Sequence, residues 1–335
     1  MAKIVFYCND SLENIQAMEY YRQDVEALKS LGHDVVICNR YRDIPWGFDV
    51  MFVWWWTYAL VPVLLARLLR RPSLITGVFN FRFENKSHGA DYFARPWYQR
   101  LLISLATRTA DANLFISERE LTEVPLHFRL SRYYYFPCAV GAEYFAANQT
   151  EKPRFSLLNL AWSGRENLKR KGVWDIIEAA RLLKARGVDF RLVLAGRPGD
   201  AHTELARRIR ELGLEERVES IGEVSPEQKL DLYSRTLLYL QPSYHEGFGL
   251  ATAEAMAAGC CVITCDVGEV RNVVGDCGYY VRPGQPSELA DAIQSLLTDS
   301  EAVMALNRKA ERRMKEFFSV DRKISTLRTV LTDIN

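Results

Sequence analysis

Short apolar runs with the length of buried strands alternate with stretches of helical period along most of this 335-residue chain. The first run is Lys3–Cys8, and the helical pattern that follows it covers residues 17–31. Strands that alternate with helices in this way are joined by crossovers, so they build parallel sheets with helices on both faces. The sequence therefore predicts an α/β fold made of doubly wound, Rossmann-like parallel sheets.

The alternation stops over residues 141–153, where small and polar residues replace the periodic apolar ones, and it resumes at Phe155. A chain of this length has room for two α/β domains. We therefore predict an N-terminal domain over residues 1–148, a C-terminal domain over 149–310, and a last helix over 311–335 that packs back on the N-terminal domain. Two such domains are expected to face a central cleft.

Composition excludes several classes of partner. Lys and Arg number 43 against 42 Asp and Glu, a balance that does not favour nucleic acid. The seven cysteines form no CxxC pair and the five histidines lack metal-ligand spacing, so we expect a reducing compartment and no metal site. The N-terminus enters a strand pattern at once, without the layout of a signal peptide, which predicts a cytoplasmic location.

Residues 50–69 have Arg67 as their only charge and could be read as a membrane span. The aromatic and β-branched residues 50–56 also have the length of a buried strand, and Pro62 stands where a following helix could begin. We favour the strand and helix, because about 20 uninterrupted apolar residues is the usual minimum for a span.

Residues 244–259 carry the clearest chemistry. Glu246 follows a strand pattern, two glycines then flank Phe248, and a helix pattern begins near Leu250. Glycines let the backbone approach a ligand, and the N–H groups of a helix N-terminus favour a phosphate. Glu254 is placed to accept hydrogen bonds from ribose hydroxyls. Glu246 is placed to accept hydrogen bonds from sugar hydroxyls or to stabilise a developing positive charge. Each carboxylate also has an ordinary interpretation, as a solvated group or a partner of the helix dipole.

A basic segment follows the first strand pattern of the C-terminal half. Arg165 and Lys171 are separated by five residues there, and Lys169 and Arg170 are alternative candidates for the same cationic role. Two cations on one loop could stabilise a diphosphate leaving group without a metal, whereas the ordinary interpretation is a solvated basic loop.

Taken together, these motifs resemble glycosyltransferase family 4 over most of residues 155–285. The motifs are PCAVGAEYF at 137–145, GR(x5)KG at 164–172, Leu194-Ala195-Gly196, Gly222-Glu223-Val224 and E(x7)E in EGFGLATAE at 246–254. The resemblance implies a GT-B fold and a retaining hexosyl transfer that needs no cofactor and no divalent metal. It also implies that the leaving phosphate itself takes the proton of the acceptor.

The resemblance assigns roles to individual residues of the C-terminal domain. Arg165 and Lys171 would hold the diphosphate, and Glu246 would hold the donor sugar together with the backbone of residues 247–250. The further donor-side residues are Gly196 and Arg197, Val224 near the base pocket, Tyr244, Gly247, Phe248, Gly249 and Leu250, and Glu254 at the ribose.

The acceptor side departs from the family pattern. Members commonly carry a glycine-rich loop after the first strand, but residues 9–16 contain no glycine. Many also carry a histidine after the fourth strand, and here the nearest is His88, either an acceptor-side residue or a surface histidine. The expected acceptor is a carbohydrate or a lipid-linked saccharide, as in polysaccharide or lipopolysaccharide biosynthesis. We also expect a weak peripheral contact with the inner face of the membrane, through the arginines at 67, 70 and 71.

Two other functions fit the same sequence. A degenerate transferase that binds nucleotide-sugar as a scaffold would bind a donor without turnover. A nucleotide-sugar epimerase or a phosphorolytic enzyme would return the nucleotide with a changed sugar.

Overall fold

The computed structural model describes residues 1–82, 91–148 and 152–334. The chain forms two compact units, one made of Met1–Ala139 with Phe318–Asn335 and the other of Val140–Phe317. The boundary therefore lies nine residues before the predicted position of 148. The reason is a short helix inside the expected linker, Ala142–Ala147, which packs on helices of the second unit. The returning C-terminal segment begins at Phe318 and not at 311.

The first unit contains a six-stranded parallel sheet in the order β2-β1-β3-β4-β5-β6. Its strands are β1 (Lys3–Cys8), β2 (Asp34–Cys38), β3 (Val50–Trp54), β4 (Ser73–Gly77), β5 (Ala112–Phe115) and β6 (Tyr133–Tyr135). The helices between them are α1 (Leu12–Ala17), α2 (Glu19–Ser30), α3 (Leu60–Leu68), α4 (Trp97–Thr109) and α5 (Glu118–Glu123).

The apolar segment over residues 50–69 forms a strand and a helix, as predicted. All five residues of β3 are buried in the sheet, and α3 begins six residues after the strand ends. Across the described residues, we find no helix with both the length and the apolar character required to cross a bilayer.

The second unit contains a six-stranded parallel sheet in the order β12-β11-β10-β7-β8-β9. Its strands are β7 (Ser156–Leu160), β8 (Arg191–Ala195), β9 (Val218–Gly222), β10 (Leu238–Gln241), β11 (Cys261–Thr264) and β12 (Tyr279–Tyr280). Its helices are α6 (Ala142–Ala147), α7 (Arg165–Arg170), α8 (Val173–Ala185), α9 (His202–Glu211), α10 (Pro226–Arg235), α11 (Leu250–Ala257), α12 (Val270–Val274), α13 (Pro286–Thr298) and α14 (Ser300–Phe317). The predicted fold class, two doubly wound parallel sheets, is confirmed.

Strand order places a ligand crevice in the second sheet. The chain runs from β7 outward to β8 and β9, and then returns to β10 on the other side of β7. The loops that follow β7 and β10 therefore leave the carboxyl edge in opposite directions. Open parallel sheets bind ligands at such a switch point.

The last helix, α15 (Val320–Ile334), belongs to the first unit and packs against α2. Its Lys323 is buried and lies 2.8 Å from the carboxylate of Asp24, which is fully buried. Lys323 also donates to the carbonyl oxygen of Pro137, and Asp24 accepts a hydrogen bond from the indole of Trp54. This ion pair fastens the returning C-terminal helix to the N-terminal part of the chain.

Candidate functional site

The loops after β7 and β10 touch each other at the switch point of the second sheet. Gly172 has a positive φ of 66°, and a Cβ there would lie 2.1 Å from the carbonyl oxygen of Pro242. Glycine is therefore required for this close approach. The amide of Tyr244 donates to the carbonyl oxygen of Arg170 at 2.8 Å, which adds a second link between the loops.

This contact brings Lys171 and Glu246 together. The Lys171 Nζ lies 2.5 Å from Oε1 of Glu246, and only 5% of Glu246 is exposed. The same oxygen accepts hydrogen bonds from Gln241 Nε2 at 2.9 Å and Ser243 Oγ at 2.8 Å. Arg170 lies further away, with its Nη1 3.5 Å from Oε2. The carboxylate is thus fixed on the crevice side of β10 by four protein groups.

The ionisation of this pair follows from its surroundings. Burial alone would raise the pKa of Glu246, but the nearby charges of Lys171 and Arg170, with hydrogen bonds, outweigh it and lower the pKa to about 2. Burial lowers the pKa of Lys171, an effect that Glu246 opposes. Glu246 is therefore an anion that accepts hydrogen bonds at neutral pH.

The low pKa of Glu246 predicts how it contributes to stability. Because the pKa falls from 4.5 to about 2 on folding, the ionised carboxylate stabilises the fold above about pH 4.5 and loses that contribution as the pH falls towards 2. The difference in unfolding free energy between the wild type and Glu246→Gln should therefore shrink from about pH 6 to about pH 3. Urea unfolding at several pH values measures it, with the exposed Glu166→Gln as a control. A difference that stays constant over this range would contradict the assignment.

Arg165 is placed differently from the sequence prediction. The segment expected to be one basic loop is the short helix α7, with Arg165 in its first turn and Lys171 at its end. Arg165 is exposed and pairs with Glu204 at 2.6 Å, whereas Lys171 faces Glu246. The two cations therefore have different partners. To bind a ligand beside Lys171, Arg165 must either break its ion pair with Glu204 or bind the ligand and Glu204 at the same time.

The glycine turn before α11 has the geometry of an anion site. Gly249 precedes the helix with φ 85° and ψ 42°, in the left-handed region, and no side chain caps this N-terminus. Phe248 in this turn is buried, and Gly247 and Leu250 are half-buried. The backbone N–H groups of Leu250 and Ala251 are therefore available to a ligand phosphate or hydroxyl, whereas that of Thr252 donates to the carbonyl oxygen of Gly249.

Glu254 lies in a separate buried cluster. Its Oε1 accepts hydrogen bonds from the Tyr144 hydroxyl and from Lys229 Nζ, both at 3.0 Å, and its Oε2 accepts one from the Tyr233 hydroxyl at 3.1 Å. Burial raises the pKa of Glu254, and Lys229 and the two hydroxyls oppose this rise. Lys229, which is half-buried, was missed by sequence reasoning, because nothing near it in the sequence distinguishes it from the other lysines of the chain.

The remaining predicted donor-side residues follow other strands of the same sheet. Gly196 and the exposed Arg197 come directly after β8, and Val224 comes two residues after β9 and is half-buried. Burial, with the nearby Asp175, raises the pKa of Tyr244 to about 12. These residues lie on the carboxyl edge of the sheet that carries Glu246. His88 lies outside the described residues.

Within the described part of the chain, no group of three or more His, Cys, Asp or Glu side chains is arranged to hold a metal ion. That the reaction proceeds without a metal stays a prediction.

Comparison with known proteins finds a family match within the second unit and relatives that match a larger part of the chain. Residues 161–313 match the family model for glycosyl transferases group 1. The chain is 30% identical over 261 residues to the alpha-D-kanosaminyltransferase of Streptomyces kanamyceticus, which is 72% of this chain and 66% of that one. It is 29% identical to the lipopolysaccharide core biosynthesis mannosyltransferase LpcC of Rhizobium leguminosarum bv. viciae, over 49% of this chain and 48% of that one. The chain thus spans less than two thirds of the length of these relatives.

Solved structures match over nearly the whole chain. The Anabaena protein Alr3699/HepE, solved in complex with UDP and glucose, has a TM-score of 0.76 at 18% identity, over 99% of this chain and 100% of that one. Sucrose-phosphate synthase from Thermosynechococcus elongatus has a TM-score of 0.73 at 19% identity, over 99% and 98%. At these identities the likeness shows the fold.

Proposed function

Since this chain belongs to the group 1 glycosyl transferases, which have the GT-B fold, we propose that it transfers a sugar from a nucleotide-diphosphate donor to a hydroxyl of a carbohydrate or glycolipid. The observation that carries the proposal is the Lys171–Glu246 pair, held at the switch point of the second sheet in the segment that defines the family match. The structure of Alr3699/HepE, which has a similar fold, was solved with UDP and glucose, and this supports a donor of this type.

The two residues of the pair would bind different parts of the donor. Lys171 is a half-buried cation beside the crevice, so it would stabilise the negative charge that develops on the departing diphosphate. The uncapped N-terminus of α11 adds N–H donors for the same group. Glu246 is ionised and accepts hydrogen bonds, so it would orient hydroxyls of the donor sugar. Burial lowers the pKa of Lys171, and the Glu246 carboxylate opposes this effect by favouring the charged form.

We propose a retaining reaction that needs no metal. The bond between the anomeric carbon and the phosphate oxygen breaks, and the acceptor oxygen bonds to that carbon on the same face. The proton of the acceptor hydroxyl passes to the departing phosphate, so that no protein nucleophile is required. The anomeric configuration of the product, read by NMR, distinguishes retention from inversion.

Glu254 is proposed to hold the ribose. A carboxylate offers about four acceptor positions, and three are occupied by Tyr144, Lys229 and Tyr233. One ribose hydroxyl can therefore be added without breaking the cluster. Lys229 would bring a cation to the nucleotide end of the donor.

Donor binding is tested by thermal shift and calorimetry against UDP, GDP, ADP and their common sugars, with EDTA present. One nucleotide is expected to stabilise the protein by about 2.7 kcal/mol at a concentration of 100 Kd, because it binds only the folded state. Arg165→Ala and Glu254→Gln should abolish or strongly reduce the shift. Arg207→Ala removes an exposed arginine of α9 that is paired with Glu211, and it should leave the shift unchanged.

The outcomes separate the proposed activity from its alternatives. Binding without transfer to any acceptor would favour a scaffold that binds nucleotide-sugar. A retained nucleotide with a changed sugar would favour an epimerase. No binding across the panel would overturn the donor-site proposal. The acceptor role of residues 1–148, a contribution of His88, the cytoplasmic location and a polysaccharide or lipopolysaccharide product stay predictions.

A further inference from the structure

The second unit contains a cavity of about 460 Å³ at the amino edge of its sheet. The residues that line it include Leu237, directly before β10, and Gly259, shortly before β11. The loop that carries Glu246 leaves the carboxyl end of β10, and a strand of four residues is about 13 Å long. The cavity is therefore separate from the donor crevice and lies at the opposite edge of the same sheet. We call it the amino-edge cavity.

The wall of the amino-edge cavity is largely apolar. Leu296 and Leu297 at the end of α13 and Val303 on α14 line it, and each of the three is at most 4% exposed. Met304 also lines it and is 50% exposed, so the cavity reaches the surface beside α14. Its volume lies within the usual range for small-molecule sites, about 300–1,000 Å³. The cavity can therefore enclose the apolar part of a small molecule.

The charge in this wall has one sign. Among the described residues that line the cavity are three cations, Lys152, Arg154 and Arg308, and no Asp or Glu. The two arginines are exposed, whereas Lys152 is half-buried. An apolar wall with several cations is suited to a ligand that carries a negative charge next to an apolar group.

Lys152 has no anionic partner within the described part of the chain. Its Nζ donates to the carbonyl oxygens of Tyr233 at 2.7 Å and Ser234 at 3.1 Å. Burial lowers the pKa of Lys152, and no carboxylate opposes this effect. Charges that are removed from water are normally paired, so an anionic group in the cavity would supply the partner that Lys152 lacks.

We propose that the amino-edge cavity binds a small molecule with an apolar body and one anionic group, of the kind that a medium-chain acyl carboxylate represents. The apolar body packs against the leucines and Val303, and the anionic group pairs with Lys152 and Arg308. A protein surface fits less well, because it could not reach side chains that are at most 4% exposed. Binding at this site does not depend on the donor chemistry, so it can be tested without any sugar.

The test is a fluorescence titration of the full chain with anilinonaphthalene sulfonate, a probe that has an apolar body and one anionic group. Octanoate should displace the probe, and octanol should do so at least about tenfold more weakly, because it lacks the charge. Arg308→Glu and Lys152→Met should each weaken octanoate by at least about tenfold and leave octanol within about twofold. A variant that had merely lost its structure would bind both compounds less well. Met304→Glu should weaken both, because it places a charge in the apolar wall.

Matched variants in other regions control for charge and exposure. Arg210→Glu makes the same change of charge as Arg308→Glu on an exposed position of α9. Leu126→Glu replaces an apolar residue of the first unit that is 81% exposed. Both controls should bind octanoate as the wild type does. Thermal unfolding of every variant verifies that it is folded.

Three results would overturn the proposal. The first is that octanoate does not displace the probe, and the second is that the control variants weaken octanoate as much as Arg308→Glu does. The third is displacement of the probe by UDP, GDP or ADP, because the probe would then occupy the donor crevice. Failure of nucleotide binding itself is read separately by calorimetry and would leave the octanoate results unchanged.

Discussion

Lys171→Met is expected to lower the turnover of sugar transfer by about two to three orders of magnitude, which is typical for the loss of one group that stabilises transition-state charge. Methionine keeps the length of the side chain and removes its charge. Lys171 lies 2.5 Å from the buried Glu246 with only 15% of its side chain exposed, so water does not readily replace the ammonium. The effect should appear in kcat at saturating donor, because the charge on the phosphate develops as the bond breaks.

The matched control is Lys169→Met, which removes an exposed cation two residues earlier and should leave turnover within about twofold. Lys171→Met also removes one partner of a buried ion pair, so the folded fraction must be measured by circular dichroism beside the kinetics. Arg165→Ala should also slow the reaction by about two orders of magnitude, and its exposure makes misfolding a poor explanation there. Nearly normal turnover in both Lys171→Met and Arg165→Ala would refute the assignment.

Lys323→Met is expected to lower the free energy of unfolding by about 3 to 5 kcal/mol, the usual cost of leaving a buried charge without its partner. Asp24 is fully buried, and its remaining described hydrogen-bond donor is the indole of Trp54. Burial raises the pKa of Asp24, and Lys323 opposes that rise. Urea unfolding measures the loss.

Two further variants test the origin of this loss. In Asp24→Asn with Lys323→Met, the uncompensated charge is gone, so much of the lost stability should return. Lys315→Met removes an exposed lysine paired with Glu311 on α14 and should change stability by less than about 1 kcal/mol. A Lys323→Met protein as stable as the wild type would show that the ion pair does not fasten α15.

The sequence was sufficient to predict helices and strands with a strong hydrophobic period, and to predict which segments contribute residues to the site. Strand β1 has the predicted bounds, because a buried apolar run of this length leaves few alternatives. Helix α7 was missed since six residues with a single buried apolar residue, Leu168, carry no period. Strand β6 was missed because three tyrosines at the edge of a sheet show no alternation of buried and exposed positions.

The arrangement of the site was less predictable than its members. Glu246 and Lys171 were both predicted, but their direct pairing depends on the close approach of two loops at Gly172 and Pro242. The partners of Glu254 come from distant positions, Tyr144 on α6 and Lys229 on α10. Such pairings are set by tertiary packing, and one sequence gives no local signal for them.

The return of the C-terminal helix also constrains the order in which the chain can fold during synthesis. The second unit ends at Phe317, so all of its residues are made before α15. The first unit is begun first but lacks Lys323 until the whole second unit has been synthesised. Until then Asp24 has no cation to pair with, so the N-terminal sheet is expected to stay open to chaperones and proteases while the second unit folds. The half of the protein that is made first would therefore be the last to become stable.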